Sequence, residues 1–351
     1  QGRVEAGFKG RYRSIPVNMR FFPGQNSPID SGAGGWADYR ETIPAVYGNY
    51  VFESQRIELE GGVRFEGVGV DYDVNPNHNT YKSDGYRYFQ PFPNVRAAYK
   101  FDEFNKLSLF VNRRVDRPNE VDIRIFPKYD EPELIKVGNP ALQPQYSTSF
   151  DLGYKTSWST GSVYLAAYHR LIDGTITRIA TQAPGSVLLY NVFQNAGRST
   201  NTGSELVWQQ TISPTLSLNA NASVFRKTVN AFSVVNQYPV PVRYTAERQQ
   251  LTSGNVKLNA VLKWPRDWQT QLSTVYLAPD LLPQGRIGSR YTVDLGMKKS
   301  VQRGKGEIVL NATDLLNTNQ AERTIRGNDF RLVSTDYLET QVVRVGYNWK
   351  F

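Results

Sequence analysis

The sequence predicts an all-β chain, a transmembrane antiparallel up-and-down β-barrel with about fourteen strands. Three observations carry this expectation. Apolar residues recur at every second position along most of the chain. Aromatic residues gather at the ends of the apolar faces. Short turns alternate with long connections.

Side chains on a strand point alternately to its two faces, so a period of two means one apolar and one polar face. Ile57, Leu59, Val63 and Phe65 alternate with Glu58, Glu60, Arg64 and Glu66. Leu107, Leu109 and Val111 alternate with Lys106, Ser108 and Asn112. Leu216, Leu218, Ala220, Ala222 and Val224 share one face, and Ser217, Asn219, Asn221, Ser223 and Phe225 the other. The sets Val256, Leu258, Ala260, Leu262, Trp264 and Tyr291, Val293, Leu295, Met297 repeat the pattern. The last strand, VVRVGYNWKF, puts Val343, Val345, Tyr347, Trp349 and Phe351 on a single face. A soluble sandwich would bury such faces against a second sheet. A membrane barrel turns them to lipid and lines its lumen with the polar set.

The aromatic positions favour the barrel. Trp264 and Trp268 flank one tight turn, and Tyr347, Trp349 and Phe351 end the last strand. Rings with one wet edge suit the headgroup level. Short turns are expected at Ser54-Gln55, Asp102-Glu103, Ser159-Thr160-Gly161, Ser213-Pro214, Pro265-Arg266-Asp267 and Arg303-Gly304-Lys305. Long connections are expected near 19–39, 72–87, 114–145, 179–187, 229–250, 278–287 and 317–337. Short turns on one side and long loops on the other match the two ends of an outer-membrane barrel. Both chain ends fall on the short-turn side, which places the C-terminus in the periplasm.

Composition narrows the chemistry. No run of about 18 apolar residues exists, so no transmembrane helix is expected. The opening QGRVEAGFKG lacks the apolar core of a signal peptide, so a leader was removed or the chain is a segment of a longer one. The absence of cysteine rules out disulfides and thiolate metal sites. With two histidines, His78 and His169, no His-built metal site is expected. The formal charge is +9, yet the basic residues are spread among the acidic ones without a patch, so no nucleic-acid partner is expected. No nucleophile, base and acid stand in a catalytic pattern, so the chain is not read as an enzyme, and no cofactor is expected.

Single motifs read mostly as structure. Asp71, Asp73 and Asn75 open like a calcium loop, but Pro76 and Lys82 stand where Gly and Glu are needed. Ser31 to Trp36 is Gly-rich without a phosphate-binding pattern and reads as a flexible outer loop. His169 reads as an interfacial aromatic. The lumen-facing charges Glu58, Glu60, Arg64, Glu66, Arg170, Lys257, Lys263 and Arg344, with Tyr164 and Tyr168, are expected to pair across a wet wall. The long loop 114–145 is the best recognition candidate, through Arg117, Glu120, Arg124, Phe126 and Tyr129.

The ordered segments GVRFEG (62–67), FPNVRAAYKF (92–101), LSLFVNRRVDRP (107–118), VGNPALQPQYSTSFDLGYKTSW (137–158) and YNVFQNAGRSTNTGSELVWQQ (190–210) carry a resemblance. So do YTVDLGMKKS (291–300), LNATDLLNTNQ (310–320) and the final alternating strand. Together they resemble the Bacteroidetes-type barrel of TonB-dependent outer-membrane receptors, over essentially the whole chain. The resemblance implies energised uptake of a large scarce nutrient, such as a metal chelate, a glycan or a peptide. It also implies a plug domain, a TonB box and a barrel of about 22 strands, of which this chain would be the C-terminal part. The implied partners are the lipid bilayer with its lipopolysaccharide, the barrel-assembly machinery, and TonB through a plug only. A surface lipoprotein or other complex subunit is a further candidate. The ending at Tyr347, Trp349 and Phe351 is, in that family, the assembly signal. The alternatives are a structural or assembly barrel subunit and a closed fourteen-stranded passive porin.

Overall fold

The computed structural model describes residues 2–25, 31–129 and 134–350. One antiparallel sheet dominates. Its strands are β1 (Gly2–Met19), β2 (Gly35–Glu53), β3 (Ile57–Val74), β4 (Asp84–Lys100), β5 (Asn105–Asp116), β6 (Gln145–Trp158) and β7 (Gly161–Gln182). They continue as β8 (Leu189–Ser213), β9 (Leu216–Val229), β10 (Gln249–Trp264), β11 (Trp268–Leu277), β12 (Arg290–Val301), β13 (Gly306–Thr313) and β14 (Val342–Trp349). Each pairs with its neighbours in chain order, the up-and-down arrangement expected from the sequence.

Two details differ from expectation. A fifteenth strand, Leu134–Val137, leaves the long loop after β5 and runs parallel to the start of β8. The closed fourteen-stranded porin is also not what the described strands form. Among the described residues, β1 shares a ladder only with β2, and β14 only with β13. The sheet therefore keeps two unpaired edges.

The connections alternate as the sequence predicts. Side chains close several of the short turns locally. Ser54 Oγ accepts from Ile57 N at 2.9 Å, Asp102 Oδ1 from Phe104 N at 2.7 Å, and Ser213 Oγ from Leu216 N at 3.1 Å. Short polar side chains favour such turns because they accept the backbone N–H that the chain reversal would strand. The turn after β10 sets Trp264 directly opposite Trp268. Both rings are exposed, as are Trp158, Tyr347 and Trp349, so an aromatic row follows the short-turn end of the outer face.

β3 explains how one strand crosses two environments. In its first half Ile57, Leu59 and Phe65 are exposed on the outer face, and Glu58, Glu60, Arg64 and Glu66 lie on the more buried inner face. From Gly67 the period is kept but the chemistry swaps sides. Gly67, Gly69, Asp71 and Asp73 now face out, while Val68, Val70, Tyr72 and Val74 are buried inside. The apolar outer stretch 57–65 has the length of roughly 9–11 residues that a tilted membrane-spanning strand needs. β2 repeats the swap: Val46, Tyr50 and Phe52 face out below, and Tyr39, Glu41, Ile43 and Ala45 are buried inside above. Asp71 and Asp73 are thus strand residues, paired with Arg87 and Arg40, not the start of a calcium loop.

The long loops form the hydrophobic core. The inner faces of β2 and β3 pack against Ile123, Ile125, Phe126, Ile135 and Val137 of the loop after β5. Ala33 belongs to the same cluster and is fully buried, and β2 begins at Gly35. The Gly-rich stretch at 31–36 thus reaches the core through Ala33 and leads into β2 at Gly35, with Gly32 and Trp36 exposed. β7 and β8 are the longest strands, at 22 and 25 residues, and extend beyond the rest. Gly174 and Gly197 face each other where their ladder is interrupted, both at positive φ (67° and 48°). Glycine adopts that region without a Cβ penalty.

Candidate functional site

Part of the inner wall carries charges that neutralise one another. Glu58 accepts from both Lys100 and Lys106. Asn49 Nδ2 donates to Glu60 Oε1 at 3.3 Å. Arg170 lies 3.9 Å from Asp151. These are cross-strand pairs of the kind expected of a wet wall, whereas Lys257, Lys263 and Arg344 make no ion pair among the described residues. His169 sits on the outer face, with its Nδ1 2.6 Å from Thr202 Oγ1.

Toward the long-loop end the wall becomes a site in its own right. Glu66 is nearly buried and is clasped by Arg64 at 2.6 Å and by Arg117 from the loop. Arg13 reaches Glu41 at 3.3 Å, and its Nη2 donates to Pro118 O at 3.3 Å. Four aromatic side chains stand beside this network. Tyr86 stacks on Tyr88, Tyr88 meets Tyr146 edge-on, Phe92 stacks on Tyr146, and Arg113 covers Tyr146 at 5.0 Å.

The loop 117–144 folds inward over this wall. Asn119 caps the one-turn helix α1 (Glu120–Ile123) by accepting from Val121 N and Asp122 N, and Asp122 returns a bond to Asn119 N. This capping box satisfies donors that so short a helix leaves open. Tyr81 OH donates to Gly138 O at 2.8 Å, and burial pushes the Tyr81 phenol pKa up. Asn139 Nδ2 donates to Phe193 O, and Asn195 exchanges bonds with both backbone groups of Gln143. The cavity left between loop and wall is about 30 Å³, room for a water or two, so the fit is close.

The recognition candidates named from the sequence come together in this loop, but they face its own packing. Arg117 is turned to Glu66, an arrangement that keeps its guanidinium charged. Glu120 and Arg124 form a two-pronged pair at 2.7 and 2.6 Å. Phe126 is buried, and Tyr129 rests edge-on against Phe21. At the other end of the molecule, Tyr347 and Trp349 are exposed on the outer face with ring centres 6.4 Å apart, and Tyr347 OH donates to Gln302 Oε1. Phe351 lies outside the described residues.

One cluster escapes sequence reasoning. Arg248, Arg286, Arg326 and Arg331 come from three separate loops and line a common cleft of about 650 Å³. No motif links them, since each loop taken alone carries mixed charges.

Comparison with known proteins places the fold. The model of the outer membrane protein beta-barrel family matches residues 1–349. No curated protein sequence matches significantly. Among solved structures, the ferric yersiniabactin uptake receptor FyuA of Yersinia pestis is similar over 100% of this chain and 51% of its own length, with TM-score 0.65 and 14% identity. The copper transporter OprC is similar over 92% of this chain and 49% of its own length, with TM-score 0.64 and 12% identity. The FrpB iron transporter of Neisseria meningitidis is similar over 100% and 53%, with TM-score 0.62 and 12% identity. The chain thus spans about half the length of these structures, and at such identities the likeness is one of fold. With the whole chain matched and its strands paired in chain order, this protein belongs to the outer membrane protein beta-barrel family, whose place is the cell outer membrane.

Proposed function

We propose that this chain is barrel wall of an outer-membrane transporter that takes up a large, scarce solute by energised import. The solute would be a metal chelate, a glycan or a peptide. One observation carries the reading most. All fourteen wall strands lie within a fold shared with half of proteins described as an uptake receptor and as transporters of iron and copper. The polar, partly self-paired inner wall suits a wet passage, and the apolar outer face suits lipid.

In this reading the short turns and the C-terminus face the periplasm, and the long loops face outside. Tyr347, Trp349 and Phe351 present the ending that the barrel-assembly machinery engages. Energy reaches the barrel from TonB through a plug, and lipopolysaccharide surrounds the outer rim. The loop 117–144 lines the entrance, with Arg117, Glu120, Arg124, Phe126 and Tyr129 holding its shape. A surface lipoprotein could dock on the loops as a complex partner.

The test is uptake by cells that carry the full-length protein, offered labelled ferric chelates, copper and oligosaccharides, with and without a protonophore. Import of one solute that collapses when the proton gradient is dissipated is expected. Import indifferent to the protonophore would point to a passive pore. No import beside normal surface levels would point to a structural barrel subunit.

A further inference from the structure

We propose that the cleft among the last three long loops binds a soluble, multiply charged oxyanion through Arg248, Arg286, Arg326 and Arg331. The inference deepens the transport reading, on which it rests, by naming a chemistry for the cargo at the mouth.

The cleft is bordered by 244–249, 284–286 and the 324–331 region of the hairpin Gln320–Arg326 and Arg331–Tyr337. Four arginines and one acidic residue, Glu247, line it. Among the described residues, none of the four side chains has an ion pair or a hydrogen bond. Two neighbouring cations are neutralised. Arg323 lies 3.2 Å from Asp336, and Lys227 lies 2.8 Å from Asp280. The cleft thus gathers four exposed arginines without a counter-ion around one space. Like charges gathered without counter-ions repel, and a bound anion would relieve the repulsion.

The walls are built rather than loose. Gln284 is buried, and its amide both accepts from Ala180 N at 2.7 Å and donates to Ala180 O at 2.6 Å. Its own carbonyl accepts from Arg326 N at 3.0 Å. Asn328 Nδ2 donates to Arg243 O at 2.8 Å, and Gly288 N donates to Glu322 O at 2.8 Å. These bonds tie the three loops to each other and to the extended part of β7. Gly285 sits at φ 156° where its backbone passes close to Thr324, an approach that a Cβ would block.

Guanidinium is a planar fork that matches carboxylate and phosphate oxygens in pairs. A cleft of about 650 Å³ lies within the size range of small-molecule sites, and several arginines in it demand several negative groups on one compact molecule. A polycarboxylate or polyphosphate meets both conditions.

The experiment titrates the full-length protein in detergent with citrate and with pyrophosphate by calorimetry, with raffinose as the neutral probe. Saturable binding of at least one anion and none of raffinose is expected. The double variant Arg286→Gln/Arg331→Gln should weaken that binding about tenfold or more, since charge-assisted bonds are lost. Arg266→Gln, in a short turn at the opposite end, should leave it unchanged. Heat-modifiable gel migration checks that each variant is folded. The proposal is overturned by absence of saturable anion binding or by equal affinity in the double variant. It is also overturned if that variant loses only co-purifying lipopolysaccharide. Binding in detergent needs no energy source, so its failure leaves the transport reading standing. Intact binding beside absent import would instead sink the transport reading alone.

Discussion

Leu258→Arg separates a lipid-facing strand from a buried soluble one. Leu258 lies on the exposed outer face of β10, between Val256 and Ala260, opposite Ala220 and Thr274. It stands six positions from Trp264 in the aromatic row. At about 3.3 Å per residue and a tilt of about 40°, that is about 15 Å along the membrane normal. The apolar band of such barrels is about 25 Å tall, so Leu258 sits close to its middle. An arginine there costs about 2–4 kcal/mol, or a loss of roughly 30-fold to 900-fold in the folding equilibrium. Asn259→Arg is the control, one residue along on the inner face opposite Asn219 and Ser273. It should cost well under 1 kcal/mol, since that face is wet. The assay is reversible guanidinium unfolding of the full-length protein from phospholipid vesicles, read by tryptophan fluorescence. Equal destabilisation by the two variants would refute a lipid-facing assignment for β10.

Other outcomes follow from the same structure. Phe351→Asp should lower the amount of protein inserted in cells while synthesis stays constant, and normal surface levels would argue against the aromatic ending as an assembly signal. Tyr81→Phe should free the inward loop by about 1–2 kcal/mol, through the lost bond to Gly138 O, and speed its cleavage by added protease several-fold. Because burial raises the Tyr81 pKa in the folded state, its stabilisation is complete below the ordinary phenol value near 10 and fades as pH rises through the raised one. Protease protection of the loop that is flat up to strongly alkaline pH would count against that role. Gln284→Ala should strand the buried Ala180 N–H at a cost of about 1–3 kcal/mol, read as faster hydrogen exchange at the top of β7.

The wall was legible in the sequence because its rule is local. Leu258 and Lys257 already declare their faces to anyone reading every second residue, and the Pro265-Arg266-Asp267 turn marks where β10 ends. Strand ends were less legible. β7 runs on to Gln182, into the stretch 179–187 expected as a connection, because its end pairs with the start of β8, which the loop strand Leu134–Val137, more than fifty positions away, supports on its other side. The site was harder still. That Arg117 would turn inward to Glu66 depends on how 51 positions of intervening chain fold back. The cleft arginines obey no period at all; the pairing of Gly285–Ile287 with Arg323–Ile325, together with the bonds from Gln284 and Asn328, brings their loops together.

The swap of chemistry along β3 has a consequence for how such a chain can change. Mean hydropathy is blind to the waterline here, because apolar residues continue at every second position on both sides of Gly67. The boundary is stored as a phase. Losing a single residue near Gly67 would bring Val70, Tyr72 and Val74 into step with Ile57, Leu59 and Phe65. The strand would then offer lipid one apolar face well longer than the roughly 25 Å height of the apolar band, and the inward loop would lose its bed. Substitutions at the crossing point should therefore be tolerated far better than single-residue insertions or deletions, which makes this short stretch a gauge of membrane thickness that evolution can recalibrate only two residues at a time.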